Sequence, residues 1–150
     1  MKYITEVIID KPRQEIIDAF ENPDLLPHWQ RGLKRSRVIS GENGEVGTKR
    51  KLYITMEGQS IKMTETILKK DLPNEWHGRY TSKGMESTQK NYFEAINENQ
   101  TKWTSYSEFK FSGFMVLVSK LLPDIFKKRS KVVQQDFKAF IEEGKSVKTN

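Results

Sequence analysis

The stretch FMVLVSKLLPDIFKKRSKVVQQDFKAFI, residues 114–141, decides the fold. Its apolar residues Phe114, Leu117, Val118, Leu121, Leu122, Ile125, Phe126, Val133, Phe137, Phe140 and Ile141 recur at steps of three and four. That is the stripe of a long amphipathic helix. A straight helix of about 30 residues would be ~45 Å long, the full width of a domain this size. Pro123 breaks it, because proline removes one backbone hydrogen bond and crowds the preceding turn. The first segment could then cross the mouth of a sheet and the second run along it, or Pro123 could simply start a new helix. Gly144 stops the helix, and residues 145–150 read as a frayed tail.

Working back from this helix, the chain changes character. Lys2–Asp10 is rich in Ile, Val and Thr and reads as a first strand, ended by Lys11-Pro12. Ile16, Ile17 and Phe20 give a short helix its buried side. Asn22-Pro23 and Pro27 bracket a second short helical segment carrying Leu25, Leu26 and Trp29. Six strands follow, at Lys34–Ser40, Thr48–Met56, Ser60–Lys69, Glu75–Ser82, Met85–Ile96 and Thr101–Phe111. Turn residues such as Gly41-Glu42-Asn43-Gly44, Glu57-Gly58 and Lys83-Gly84 separate them. These connections are too short for parallel crossovers, so the sheet is expected to be antiparallel, with sequence neighbours paired. A run of strands closed by one long helix predicts a curved sheet folded around that helix, with a chamber between them.

Bulk properties narrow the class. The chain has 150 residues, enough for one domain with a real core, here residues 1–144. It has no cysteine, which removes disulfides, a thiol nucleophile and any Cys-based zinc site. The longest apolar run is too short to span a membrane, and MKYITEVIID lacks the apolar core of a signal peptide, so a cytoplasmic location is expected. The net charge of +6 gathers at Lys34-Arg35-Arg37, Lys49-Arg50-Lys51, Lys69-Lys70 and Lys127-Lys128-Arg129-Lys131. These clusters fall at strand starts and on the polar side of the last helix, where solvated charge is ordinary, which argues against nucleic-acid binding.

The order of motifs carries a resemblance. A strand is followed by Pro12-x-x-Glu15-Ile16-x-x-x-Phe20, then Asn22-Pro23, Trp29, Gly44-x-Val46-Gly47 before a strand, and finally the terminal helix. Over roughly residues 2–143 the chain resembles the START-related, Bet v 1-like (SRPBCC) superfamily, and within it the bacterial polyketide cyclase/dehydrase-like members. The resemblance implies an α+β helix-grip fold: a seven-stranded curved antiparallel sheet around a long C-terminal helix, two short helices after strand 1, and a deep apolar cavity. It implies no single activity, since carriers of lipids and hormones, cyclases and chaperone cofactors share the fold.

Alternation sorts the strand residues onto two faces. One face carries Arg50, Leu52, Ile54 and Met56; Ile61, Met63, Glu65 and Ile67; Trp76, Gly78 and Tyr80; Gln89, Asn91, Phe93 and Ala95; and Trp103, Ser105, Ser107, Phe109 and Phe111. If this face is concave, it walls an apolar chamber of about 300–1,000 Å³ with a few orienting polar groups, Glu65, Gln89, Asn91, Ser105 and Tyr80 among them. Phe114, Val118, Leu121 and Phe126 would close it from the helix, and Trp29 would guard an opening. The large aromatics could equally fill the space.

Glu65, between Met63 and Ile67, must be paired, hydrated or protonated, and is the one candidate for acid–base work. A structural ion pair with Arg50 or Arg79 competes with that reading. His28 and His77 lack partners for a nucleophilic triad, His77 is expected on the outward face, and two scattered histidines make no metal site. No catalytic set, metal or cofactor is therefore expected. The favoured reading is a monomer or homodimer that binds a hydrophobic or amphipathic small molecule (a lipid, polyketide or aromatic metabolite). A cyclase- or dehydratase-type cavity enzyme using Glu65, and a partner-protein regulator resembling chaperone cofactors, stay open.

Overall fold

The computed structural model describes residues 1–149. Seven antiparallel strands form one sheet: β1 (Lys2–Ile9), β2 (Leu33–Ser40), β3 (Lys49–Met56), β4 (Gln59–Asp71), β5 (Glu75–Ser82), β6 (Met85–Asn97) and β7 (Gln100–Phe111). Their spatial order is β1-β7-β6-β5-β4-β3-β2, so every pair except β1–β7 joins sequence neighbours. Helix α1 (Arg13–Glu21), a single 3-10 turn (Pro23–Leu25) and helix α2 (Leu26–Trp29) connect β1 to β2. Helices α3 (Phe114–Leu121) and α4 (Ile125–Glu143) close the chain. This is the expected helix-grip architecture, with the C-terminal helix split at the proline.

The break at Pro123 has a local cause. The residue before a proline is pushed out of the helical region, and Leu122 sits at φ −127°, ψ 60°. The chain then restarts, with the Lys128 amide donating to the Asp124 carbonyl at 3.0 Å. At the far end Gly144 adopts φ 69°, and its amide donates to the Phe140 carbonyl at 2.9 Å. The expected frayed tail is instead tied down through residue 149. Val147 donates its amide to the His28 carbonyl (3.0 Å), Ser146 Oγ lies 2.8 Å from His28 Nδ1, and Lys34 Nζ reaches Thr149 Oγ1 (2.7 Å). Asn150 lies outside the described residues.

Helix α4 runs along β1 and is fastened to it at regular steps. Tyr3 Oη lies 2.7 Å from Ser130 Oγ and donates to the Phe126 carbonyl at 3.0 Å. Gln134 Nε2 reaches the Thr5 carbonyl, Lys138 Nζ the Ile8 carbonyl (2.7 Å), and Glu142 Oε1 accepts from the Asp10 amide (3.1 Å). The last two contacts solve an edge problem. Met1 and Phe109 exchange both of their backbone hydrogen bonds, so odd-numbered β1 residues bond to β7 and even-numbered ones present their amides and carbonyls to the free edge. Lys138 and Glu142 occupy two of those groups, at Ile8 and Asp10.

The core lies between α1, α2, α4 and the half of the sheet nearest them. Phe20 is its hub, with ring centroids 5.1–6.3 Å from those of Trp29, Trp76, Phe93, Trp103 and Phe137. Phe137 is fully buried, whereas Leu117 on α3 is about half exposed. Phe137→Ala should therefore cost about 3–5 kcal/mol in urea unfolding. Leu117→Ala should stay within about 0.5 kcal/mol of wild type.

Candidate functional site

Strand register assembles the concave face as rows of directly opposed residues. One row reads Arg50, Glu65, Tyr80, Ser87, Phe109 across β3 to β7. The next reads Ile67, Gly78, Gln89, Ser107, Tyr3, and the third Trp76, Asn91, Ser105, Thr5. Phe93, Trp103 and Val7 form the fourth. Leu52 opposes Met63 and Ile54 opposes Ile61 at the β3–β4 end. Directly opposed residues share a face, so the expected concave set does lie on one surface.

The chamber between that surface and the helices is mostly filled. Phe93 stacks on Trp103 (5.9 Å), Trp29 packs edge-on against Phe137 (4.9 Å), and Phe109 meets Phe126 (5.1 Å). Between α1–α2 and β4–β5 lies a pocket of about 60 Å³ lined by Phe20, Glu21, Leu26, Glu65, Trp76 and Tyr80. That is space for one or two waters rather than the 300–1,000 Å³ chamber expected from the sequence. Gly78 helps to shape it: a Cβ there would come within 2.7 Å of the Trp76 ring, so the missing side chain lets the indole lie against the strand.

Glu65 and Tyr80 are directly opposed across β4 and β5, and both line this pocket. Burial raises the Glu65 carboxyl above its ordinary range, against the smaller opposing pulls of the Tyr80 hydroxyl and the Arg50 charge. Burial, and then the neighbouring carboxylate, push the Tyr80 phenol well above its ordinary value. Arg50 donates to Ser36 Oγ at 3.3 Å and to Asn43 Oδ1, so its pull on Glu65 acts through space. Arg79, the other expected partner, pairs instead with Glu86 at 3.7 Å. The arrangement is a carboxyl and a phenol held together in an apolar wall, capable of donating to or accepting from one polar group of a guest.

A second group of polar atoms lies beneath α4. Thr5 Oγ1, Ser107 Oγ and Gln134 Oε1 are buried without a hydrogen-bond partner, although such atoms are normally satisfied by protein or water. Asn91, expected to orient a guest, accepts instead from Trp103 Nε1 at 2.9 Å and so braces the core. Ser105 is buried in the same row, and Gln89 is partly exposed. His77 faces away from the chamber, as alternation requires, yet it is buried on the convex side against Tyr92 and 3.8 Å from Glu75. Burial lowers its pKa below the usual histidine value. Among the described residues no cluster of three or more His, Asp or Glu side chains is placed to hold a metal.

The helix side of the expected site needs correction. Phe126 is buried against the sheet, but Phe114 and Leu121 are 75% and 69% exposed and do not close the chamber; Val118 is only partly buried. Severed from α4 at Pro123, α3 turns its Met115 side inward, against Gly84. Trp29 guards no opening, because it is 2% exposed inside the aromatic core. Phe20, Glu21 and Leu26 line the pocket, although none of them was expected there from the sequence. The apolar spacing of Phe20 and Leu26 marks them as buried but does not say which strands they meet.

No protein-family model and no curated protein matches the sequence. Solved structures do match over nearly the whole chain. A conserved protein from Geobacillus kaustophilus superposes with a TM-score of 0.83 at 12% identity, covering 96% of this chain and 97% of that one. Ara h 8.0201 gives 0.75 at 15% identity, over 94% and 97% of the two chains. Norcoclaurine synthase from Thalictrum flavum, solved with dopamine and hydroxybenzaldehyde, gives 0.72 at 15% identity, over 97% and 88%. The chain has the Bet v 1-like helix-grip fold.

Glu65 sets a pH test. Its folded pKa is raised, so the stability due to its neutral form is complete below the ordinary value of 4.5 and is lost as pH rises through the folded pKa. Urea unfolding of wild type should therefore show a stability loss above that pH that Glu65→Gln lacks, with the variant close to wild type in acid. A Gln variant markedly weaker at every pH would instead reveal a buried ion pair left with a stranded cation.

Proposed function

We propose that the protein binds an amphipathic small molecule, a lipid, polyketide or aromatic metabolite, between α1–α2 and the β4–β5 part of the sheet. The Glu65–Tyr80 pair carries this reading. A desolvated carboxyl in an apolar wall costs stability, and a domain built only for packing would place a hydrophobic residue there. At the lip of a pocket bounded by Phe20, Leu26 and Trp76, the same pair gives a guest one anchoring hydrogen bond and leaves its body to apolar contact. The pocket must widen to hold more than a few atoms, by movement of Leu26 on the four-residue helix α2.

The pairing of two titratable groups also supports a second reading, a cyclase- or dehydratase-type proton transfer with Glu65 and Tyr80 as the carriers. A general base takes a proton from one atom of a substrate while a general acid gives one to another, and here both side chains reach the same pocket. In this reading Tyr80→Phe leaves guest binding intact and abolishes turnover, whereas in the binder reading it changes affinity alone.

N-phenyl-1-naphthylamine, a neutral dye that brightens in apolar surroundings, checks the site. Wild type should bind it saturably, with quenching of tryptophan emission through Trp76. Leu26→Trp, which fills the pocket lip from a short helix, should weaken binding by about ten-fold, a loss of roughly 1.4 kcal/mol, with the unfolding midpoint little changed. Equal, weak binding to both proteins would mean that the aromatics leave no site.

A further inference from the structure

Helix α3 carries its most apolar face outward. Phe114, Leu117 and Leu121 lie on one side of the helix, with Leu122 just beyond it, and their exposures run from 49% to 75%. Single exposed apolar residues are ordinary, but four in nine positions on one short helix are not. No acidic residue occurs in α3.

The charges around this helix are mainly positive. Lys83 and Lys110 sit at the strand ends beside it, Lys120 in its last turn, and Lys127 and Lys128 just after the break; all five are exposed and enter no ion pair among the described residues. Asp124, Glu57 and Glu86 are the nearby counter-charges; Glu57 faces Arg129 at 3.9 Å, and Glu86, opposite Lys110, pairs with Arg79 at 3.7 Å. Lys127, Lys128, Arg129 and Lys131 also crowd the first two turns of α4, where the helix dipole is positive and Asp124 at the N-cap is the one acidic residue of the helix start. Cations there work against the fold, yet they would be neutralised by an anionic partner lying against α3. A second copy of this chain would bring two such rims together and repel itself.

We infer that α3 is a membrane-docking helix that seats Phe114, Leu117, Leu121 and Leu122 into the interface of an anionic lipid bilayer, with the surrounding lysines on the lipid phosphates. Amphipathic insertion plus a basic patch is the two-signal arrangement that gives reversible surface binding. No helix among the described residues is long and apolar enough to cross a membrane, so the contact is peripheral. The inference stands apart from the pocket, whose lining residues are not on α3.

Flotation with phosphatidylglycerol-containing vesicles, beside pure phosphatidylcholine vesicles, tests it. Wild type should float with the anionic vesicles, and raising the salt should release it. The double variant Leu117→Ser/Leu121→Ser and the double variant Lys127→Gln/Lys128→Gln should each weaken binding by about ten-fold. Both changes lie on exposed positions, so circular dichroism should show thermal unfolding no lower than that of wild type for either. Absence of flotation, or flotation that the two variants leave unchanged, would overturn the inference. So would a concentration-dependent dimer that Leu117→Ser/Leu121→Ser dissolves while vesicles bind neither protein, since a second copy would then be the occupant.

Discussion

The grip of α4 on β1 is the constraint from which the rest of the molecule follows. β1 is an edge strand, paired only with β7, and its outward amides and carbonyls would be a template for another chain. Ser130, Gln134, Lys138 and Glu142, one helical turn apart, meet Tyr3, Thr5, Ile8 and Asp10 in order. This fixes the helix axis over the sheet and drives Phe137 into the aromatic cluster around Phe20. Helices α1 and α2 are then packed from the other side by the same rings. One end of the chamber becomes solid, and the remaining space is displaced toward β4 and β5, where Glu65 and Tyr80 lie.

The division between rigid and adaptable parts has chemical consequences. Under α4 the polar row residues are few and small, and Asn91 is committed to Trp103, so that region serves the fold. At the pocket the wall comes from one side of the sheet, from α1's last turn and from the four-residue helix α2. A carboxyl whose pKa is raised by burial suits such a place. It can donate or accept, and it avoids the full desolvation cost of a permanent charge.

Much of this was legible in the sequence, for identifiable reasons. Period-two alternation is unambiguous in strands, so Trp76, Tyr80, Gln89, Phe93 and Trp103 could be assigned to one face, and the register places them there. Pro123 announced the helix break. The orientation of α3 was not legible: a stripe of Phe114, Leu117 and Leu121 says that a helix is amphipathic, not which side the sheet takes once the helix is uncoupled from α4. Nor does alternation measure volume. It shows which rings point inward but not that Phe20 will bring Trp29, Trp76, Phe93, Trp103 and Phe137 together around itself. The role of Asn91 was hidden for the same reason, since its partner lies 12 residues away on the next strand.

The indole protons of the three tryptophans report on the two halves of this account at once. In an NMR titration with N-phenyl-1-naphthylamine, the Trp76 indole signal should shift progressively, with Leu26 and Phe20. The Trp103 indole, bonded to Asn91 at 2.9 Å in the gripped core, should hold its position. Shifts confined to α3, or a Trp103 signal that moves as far as that of Trp76, would contradict a site at β4–β5 walled by a fixed helix.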